Sequence, residues 1–191
     1  MLRAVLRAVL VLAVSLLGPV AHAETTVSGE ITTTTWTKAN SPYRVAGDLY
    51  IPPGNTLTIE QGVDVIFDAD ALFTVEGTLT AVGTAADSIR FYPSGDGSWR
   101  GFRVYSEGMV APKPLSERAK EARVTQEGGA SIEMAFARIS GVQDADDEAT
   151  GGAFEVVGAA SGLTLTNCVI RDNTAYEGAG IAFVGGAGGM L

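Results

Sequence analysis

From Glu24 onward, apolar and polar residues alternate in short runs of three to five residues. Such alternation is typical of β-strands with one buried face, because successive side chains point to opposite sides. Gly, Asn or Asp separates most of the runs, and these residues favour turns. The pattern predicts an all-β chain. The clearest runs are Leu57–Ile59, Val63–Phe67, Phe73–Val75, Thr78–Thr80, Ile89–Phe91, Phe102–Val104, Ile132–Met134, Phe154–Val156, Leu163–Leu165 and Ile181–Phe183.

Two later segments repeat each other without a gap. Ile132–Gly141 aligns with Leu163–Asp172 at an offset of 31 residues, and apolar residues coincide at 132 and 163, at 134 and 165, and at 139 and 170. Downstream, Gly151–Phe154 resembles Gly178–Ile181. Each repeat holds about three short strands and cannot bury its inner face alone, so stacking of successive repeats is the physical solution.

An earlier pair of residues also indicates a repeat, since Phe67 and Phe91 lie 24 residues apart and each ends a similar strand. Repeats of 24–31 residues predict the coils of a parallel β-solenoid. An antiparallel sandwich is the alternative, but it favours tight Asn-Gly or Asp-Gly hairpins, and none joins two of these runs. The solenoid predicts one shared core, which includes Leu57, Ile59, Val65, Phe67, Val75, Ile89, Phe91, Leu163 and Leu165.

The order of these motifs resembles a known class of protein. Ser41–Val63 resembles the opening of exported right-handed parallel β-helix proteins of the pectin-lyase-like superfamily, and Val75–Thr84, Ile89–Phe91 and Trp99–Phe102 continue that pattern. Leu163–Ala175 looks like the coil repeats of the same proteins and of polymorphic outer membrane proteins. The resemblance implies a right-handed parallel β-helix, a fold that carries lyases, hydrolases, adhesins and passenger domains alike.

The chain divides into segments that differ in composition and in predicted structure. Residues 1–23 hold two arginines, a short apolar run and a small-residue site ending at Ala23, which is the pattern of a signal peptide. We expect export to the periplasm, the cell surface or the medium. Residues 24–42 are predicted to cap the solenoid and residues 43–191 to form its coils, with a short helical excursion near 106–130. The glycine-rich segment 185–189 predicts that the coils are truncated, leaving an end prone to self-association.

Charge and composition exclude several classes of function. The chain has 22 acidic and 13 basic residues, a net charge of −9, which argues against a nucleic-acid-binding protein. The one histidine, His22, falls in the signal peptide, so the mature chain would lack histidine for catalysis or metal binding. The single cysteine, Cys168, excludes an intrachain disulfide and is predicted to be a buried structural thiol. No apolar stretch after the signal peptide is long enough for a transmembrane helix.

One acidic run is the candidate metal site. Asp144, Asp146, Asp147 and Glu148 fall within five residues, and carboxylate oxygens are the ligands that Ca²⁺ prefers. The run lacks the glycine and the distal glutamate of an EF-hand loop, so a solvated loop between coils is the alternative interpretation. No cofactor other than calcium at this run is predicted.

Binding and catalysis have separate candidates. Trp99 and Tyr105 are the predicted glycan-binding residues, on the condition that their rings are exposed to receive the apolar faces of sugars. A glycosidase would need clustered carboxylates at defined separations, and Asp68, Asp70 and Asp172 are the residues considered. A lyase would need calcium and an arginine base near a groove. None of these residues forms a recognisable catalytic signature.

These observations favour a non-catalytic, exported β-helix module of a bacterial envelope or surface protein. Its expected partner is a polysaccharide or another surface protein, bound in the manner of an adhesin. Two alternatives stay open. One is a fragment of an extracellular polysaccharide lyase or glycoside hydrolase, and the other is a purely structural passenger without a ligand.

Overall fold

A computed structural model describes residues 24–105, 129–143, 152–158, 162–175, 179–184 and 188–190. The predicted signal peptide, residues 106–128 of the predicted helical excursion and the acidic run 144–148 lie outside these residues.

The strands are β1 (Thr25–Glu30), β2 (Thr34–Trp36), β3 (Tyr43–Ile51), β4 (Thr56–Ile59), β5 (Asp64–Phe67), β6 (Phe73–Val75), β7 (Thr78–Val82), β8 (Ile89–Pro93), β9 (Phe102–Tyr105), β10 (Ser131–Ala135), β11 (Ala137–Ser140), β12 (Phe154–Val157), β13 (Gly162–Thr166), β14 (Val169–Arg171), β15 (Ile181–Val184) and β16 (Gly188–Met190).

Every pairing between these strands is parallel. The strands form a ten-stranded and a six-stranded sheet. Strand β3 joins two halves of the larger sheet, because Tyr43–Val45 pairs with β5 while Leu49–Ile51 pairs with β6. A short 3₁₀ helix, Lys38–Asn40, precedes β3. No helix in the described part of the chain is long and apolar enough to cross a membrane.

The strands fall into three stacks. The first stack is β2, β4, β7, β10, β13 and β16. The second stack is the beginning of β3 followed by β5, β8, β11 and β14, and the third is the end of β3 followed by β6, β9, β12 and β15. From β4 to β15 the chain visits the three stacks in turn, so each set of three strands makes one coil. This is an all-parallel, solenoid-like fold consistent with a parallel β-helix.

Residues 24–42, predicted as a cap, supply two of these strands. Strand β1 pairs with β3, and β2 pairs with β4. Trp36 is buried at this end of the molecule, and its ring stacks on that of Tyr43 at a centroid distance of 4.6 Å.

The stacks keep their register although the coils differ in length. The bonded pairs Thr33 and Thr56, and Asp64 and Arg90, are 23 and 26 residues apart. Thr78 pairs with Ser131, which lies 53 residues further on. In the next coil the separation is 31 residues, as the repeat predicted: Ile132 pairs with Leu163, Met134 with Leu165 and Ile139 with Ile170. The extra length therefore lies in the turns.

One predicted equivalence is wrong. Phe91 pairs with Val65 and not with Phe67, which pairs with Pro93. The prediction assumed a spacing of 24 residues, whereas paired residues of these two strands lie 26 residues apart.

The turns after β10 and β13 share a backbone conformation. Phe136 and Asn167, 31 positions apart in the aligned repeats, have φ values of 49° and 53°. Gly141 and Asp172 also match, with φ values of 69° and 55°. Left-handed backbone is costly for most residues, so its recurrence shows that the corner geometry repeats with the sequence.

Apolar side chains line the inside of all three stacks and form one continuous core. All nine residues predicted to share a core belong to it, each at most 5% exposed. Aromatic rings fill the centre. Phe102 lies within 5.5 Å, ring centre to ring centre, of four of them: Phe73 (5.3 Å), Phe91 (5.4 Å), Trp99 (5.1 Å) and Phe154 (4.9 Å).

Candidate functional site

The outward side of the third stack carries a buried polar row. Thr74, Arg103 and Glu155 occupy matching positions on β6, β9 and β12. Thr74 is 2% exposed and Arg103 is 5% exposed, although both alternate with core residues and point away from the core. A buried guanidinium requires a partner, because an unpaired charge in a low-dielectric environment is strongly unfavourable.

Glu155 supplies that partner. Arg103 Nε lies 2.6 Å from Glu155 Oε2, and both side chains are largely excluded from water. Nearby, the hydroxyl of Tyr50 donates a hydrogen bond of 2.6 Å to Glu76. Sequence patterning did not identify this row, because alternation marks a residue as outward without showing whether that outward position is covered.

Tyr105 belongs to the same outward surface. Burial raises its pKa to about 12, and the negative charge of Glu155 contributes in the same direction. The folded protein therefore keeps this phenol neutral at a pH where an unfolded tyrosine, with a pKa of about 10, is ionised.

This shift predicts alkaline destabilisation. Stability from Tyr105 is fully present below pH 10 and is lost as the pH rises from about 10 to about 12, by about 2–3 kcal/mol in total. Urea unfolding at intervals between pH 8 and pH 12 measures the loss. Y105F removes the titrating group, so its stability should fall less than that of the wild type above pH 10 and in parallel with it below. Parallel curves over the whole range would contradict the assignment.

Other ion pairs are exposed and join different coils. Lys38 Nζ lies 2.8 Å from Asp87 Oδ1, and Arg44 Nε lies 2.9 Å from Asp68 Oδ1. The hydrogen bond and the charge of Asp68 raise the pKa of Arg44. Exposed pairs of this kind contribute little to stability because solvent screens them, so their main interest is which surface charges they neutralise.

The candidate binding site is a hollow at the corner between the first and second stacks, which we call the corner pocket. Its volume is about 430 Å³, within the range of about 300–1,000 Å³ typical of ligand sites. Thr84 and Ser88 come from the turn between β7 and β8, Arg138 from β11, and Asn167 and Cys168 from the turn between β13 and β14. Three coils therefore contribute hydroxyl, guanidinium, amide and thiol groups.

A second hollow, of about 530 Å³, lies over the outward side of the first stack. Thr58 and Thr80 line it together with Lys38, Glu60 and Gln61. Its charged groups already have partners: the ammonium of Lys38 pairs with Asp87, and Glu60 accepts a hydrogen bond from the backbone N–H of Lys38 at 2.9 Å. We therefore take the corner pocket as the stronger candidate.

The condition on the predicted glycan platform is not met. Trp99 is 0% exposed, its ring stacks on Phe67 at 3.8 Å, and its indole N–H donates to the carbonyl oxygen of Ser140 at 3.0 Å. Tyr105 is 6% exposed. Neither ring presents a face to solvent.

Among the residues that the structure describes, the acidic candidates form no cluster of three or more. Asp144, Asp146, Asp147 and Glu148 lie outside the described residues, among which no cluster of three or more His, Cys, Asp or Glu side chains occurs. Asp68 follows β5 and Asp172 follows β14, three strands away in the second stack and about 14 Å distant. Glycosidase carboxyl pairs lie within about 5–9.5 Å, so these two do not form one.

Two further residues of the last repeat act locally. Cys168 is half-buried rather than buried, with its Sγ 3.6 Å from the carbonyl oxygen of Met134 in the preceding coil. The side-chain oxygen of Asn173 accepts a hydrogen bond of 2.9 Å from the backbone N–H of Val142. Both residues therefore tie this coil to its neighbour.

Comparisons with known proteins add one partial match. Protein bark beetle of Drosophila melanogaster is 39% identical to this chain over 57 residues. The match covers 30% of this chain and 2% of the length of that protein. No family model matches the chain, and no solved structure matches it.

Proposed function

We propose that this chain is a right-handed parallel β-helix module of an exported bacterial envelope or surface protein, and that it binds a polysaccharide without cleaving it. Two features support the architecture: the three parallel stacks visited in turn, and the resemblance of Ser41–Val63 and Leu163–Ala175 to pectin-lyase-like coils. The signal-peptide pattern of residues 1–23 supports export.

The corner pocket is the observation that carries the binding proposal. Its lining of hydroxyl, amide and guanidinium groups matches the hydrogen-bonding character of sugars, and its volume suits a small ligand or one unit of a polymer. Its lining residues come from three successive coils, which suits an extended ligand that lies across the coils.

Local chemistry favours binding over cleavage. Asp68 and Asp172 are too far apart to act as a pair, and Glu76 and Glu155 already accept hydrogen bonds from Tyr50 and Arg103. Carboxylates held in this way orient the strands that carry them. A lyase or hydrolase fragment is the alternative, and the same experiment distinguishes it.

The test incubates the exported chain with a panel of neutral and acidic polysaccharides and scores binding and product ends together. We expect at least one polysaccharide to bind with no increase in reducing or unsaturated ends. S88Y, which fills the corner pocket, should weaken that binding about tenfold. T164Y places the same bulk on the exposed first stack and should leave binding unchanged.

Each other outcome has a distinct meaning. New product ends would replace this proposal with the lyase or hydrolase. An absence of binding across the panel would favour the remaining alternative, a structural passenger without a ligand. If S88Y and the wild type bind the polysaccharide with equal affinity, the binding site lies outside the corner pocket.

A further inference from the structure

The turn between β8 and β9 carries the sequence Ser94-Gly95-Asp96-Gly97-Ser98. Gly95, Asp96 and Gly97 are all exposed to solvent. A backbone hydrogen bond of 3.2 Å, donated by the N–H of Gly97 to the carbonyl oxygen of Ser94, closes the turn. Hydrogen bonds at an exposed loop tip open far more readily than those of the core. The backbone at Asp96 can therefore change conformation while the coils stay folded.

The carboxylate of Asp96 has no partner in the part of the chain that the structure describes, either as an ion pair or as a hydrogen bond. Asp70 shares this property. Each of the other described aspartates holds its carboxylate against a cation or a backbone N–H: these are Asp48, Asp64, Asp68, Asp87 and Asp172. Asp70 and Asp96 are therefore the two candidates for chemistry that needs a free carboxyl group.

The residue that follows each of them separates the two. Asp96 precedes Gly97, which has no side chain to shield its amide nitrogen. Within the described residues, and apart from its chain neighbours, only the carbonyl oxygen of Ser94 lies within 4 Å of the point where a Cβ of Gly97 would stand. Asp70 precedes Ala71, which is 2% exposed and packs in the core. Asp96 thus combines a free carboxylate with an accessible amide nitrogen.

We propose that Asp96 is a site of spontaneous modification, at which aspartate converts to isoaspartate in the folded protein. The amide nitrogen of Gly97 attacks Cγ of the protonated Asp96 carboxyl group. A C–N bond forms, and the carboxyl OH leaves with the amide proton as water. Water then opens the cyclic succinimide. Opening at the side-chain carbonyl restores aspartate, whereas opening at the backbone carbonyl leaves isoaspartate, so the reaction consumes no other reactant.

The product has one more backbone carbon, placed between two anchored residues. The N–H of Ser94 donates to the carbonyl oxygen of Phe67 at 2.7 Å, and the carbonyl oxygen of Ser98 accepts from the N–H of Asp70 at 3.1 Å. Lengthening a loop costs little free energy, and the coils of this protein already differ in length. We therefore expect the modified protein to keep the circular dichroism spectrum and the unfolding midpoint of the fresh protein.

The experiment incubates the exported chain at neutral pH and physiological temperature for several weeks. Peptide mapping by mass spectrometry, with fragmentation that distinguishes the two isomers, locates the isoaspartate, and methylation by an isoaspartyl methyltransferase measures its amount. Asp87 is the internal reference, because it precedes the small residue Ser88 but is paired with Lys38 at 2.8 Å. We expect Asp96 to convert severalfold faster than Asp87.

Three variants test the mechanism. G97A places a Cβ beside the attacking nitrogen and should slow the conversion severalfold. D96E keeps the charge but lengthens the side chain, which disfavours ring closure, and should abolish the methylation signal of this turn. S98A is the matched control, because it changes the same turn without touching either reacting group, and its rate should equal that of the wild type.

The other outcomes would overturn the proposal. Equal conversion of Asp96 and Asp87 would show that the free carboxylate does not decide the site. A G97A protein that converts as fast as the wild type would exclude attack by this nitrogen. Isoaspartate found only in a fraction that has lost its circular dichroism signal would assign the reaction to the unfolded chain. The measurement uses no polysaccharide, so its result is independent of the proposed function.

Discussion

Replacing Phe102 by alanine is expected to lower the free energy of unfolding by about 3–5 kcal/mol. Phe102 is fully buried on β9, and its ring stacks on Phe154 of the next coil with an interplanar angle of 10°. Phe73, Phe91 and Trp99 surround it on the other sides. Truncation removes the buried ring and leaves a cavity that the strands on both sides cannot close. The loss of stability therefore includes both the lost burial of the ring and the cost of the cavity.

Chemical denaturation followed by far-ultraviolet circular dichroism measures this loss. F183A is the matched control, because Phe183 lies on β15 of the same stack but is 40% exposed. Its removal should cost less than about 1 kcal/mol. Similar losses for F102A and F183A would show that the aromatic centre does not dominate stability.

Replacing Gly101 by alanine is expected to destabilise the protein by about 2–5 kcal/mol, the sum of backbone strain and overpacking. Gly101 has a φ of 83°, where an L residue is strained by about 1–2 kcal/mol. An added Cβ would also collide with the carbonyl oxygen of Gly152 and lie 3.0 Å from that of Ala153, so one coil would press on the next. Overpacking of this kind adds about 1–3 kcal/mol.

Two other glycines separate these contributions. Gly95 also has a positive φ, 59°, but nothing lies within 4 Å of the point where an alanine Cβ would stand, so G95A isolates the backbone strain. Gly47 has neither strain nor a close neighbour, and G47A should be nearly neutral. Denaturation midpoints should fall in the order G47A, G95A, G101A. A G101A protein as stable as G95A would show that the coils can separate at this corner.

Much of the core could be predicted because burial here follows simple alternation. Leu57, Ile59 and Val65 belong to strands that are each apolar on one side, so the period of two identifies them without a partner strand. The register of Ile132 with Leu163 was also predictable, because the two segments that contain them align without a gap.

The rest depended on turn lengths that no local pattern encodes. Phe91 was assigned to the wrong partner because this coil is 26 residues long rather than the assumed 24. Arg103 was not identified as buried because its partner Glu155 lies on the far side of a long connection. Trp99 follows a polar, glycine-rich stretch that is typical of an exposed loop, yet its ring fills the core. No local pattern marked Arg138 as a residue that lines the corner pocket.

The unequal coil lengths have a consequence for how such a protein can diversify. Thr78 and Ser131 stay paired although 53 residues separate them. The parallel pairing of the strands therefore tolerates a large insertion between coils without a change of register. Selection can therefore lengthen, shorten or exchange a turn while the inward positions stay nearly constant. Residues in the turns at a corner can therefore change one loop at a time while the parallel stacks stay the same.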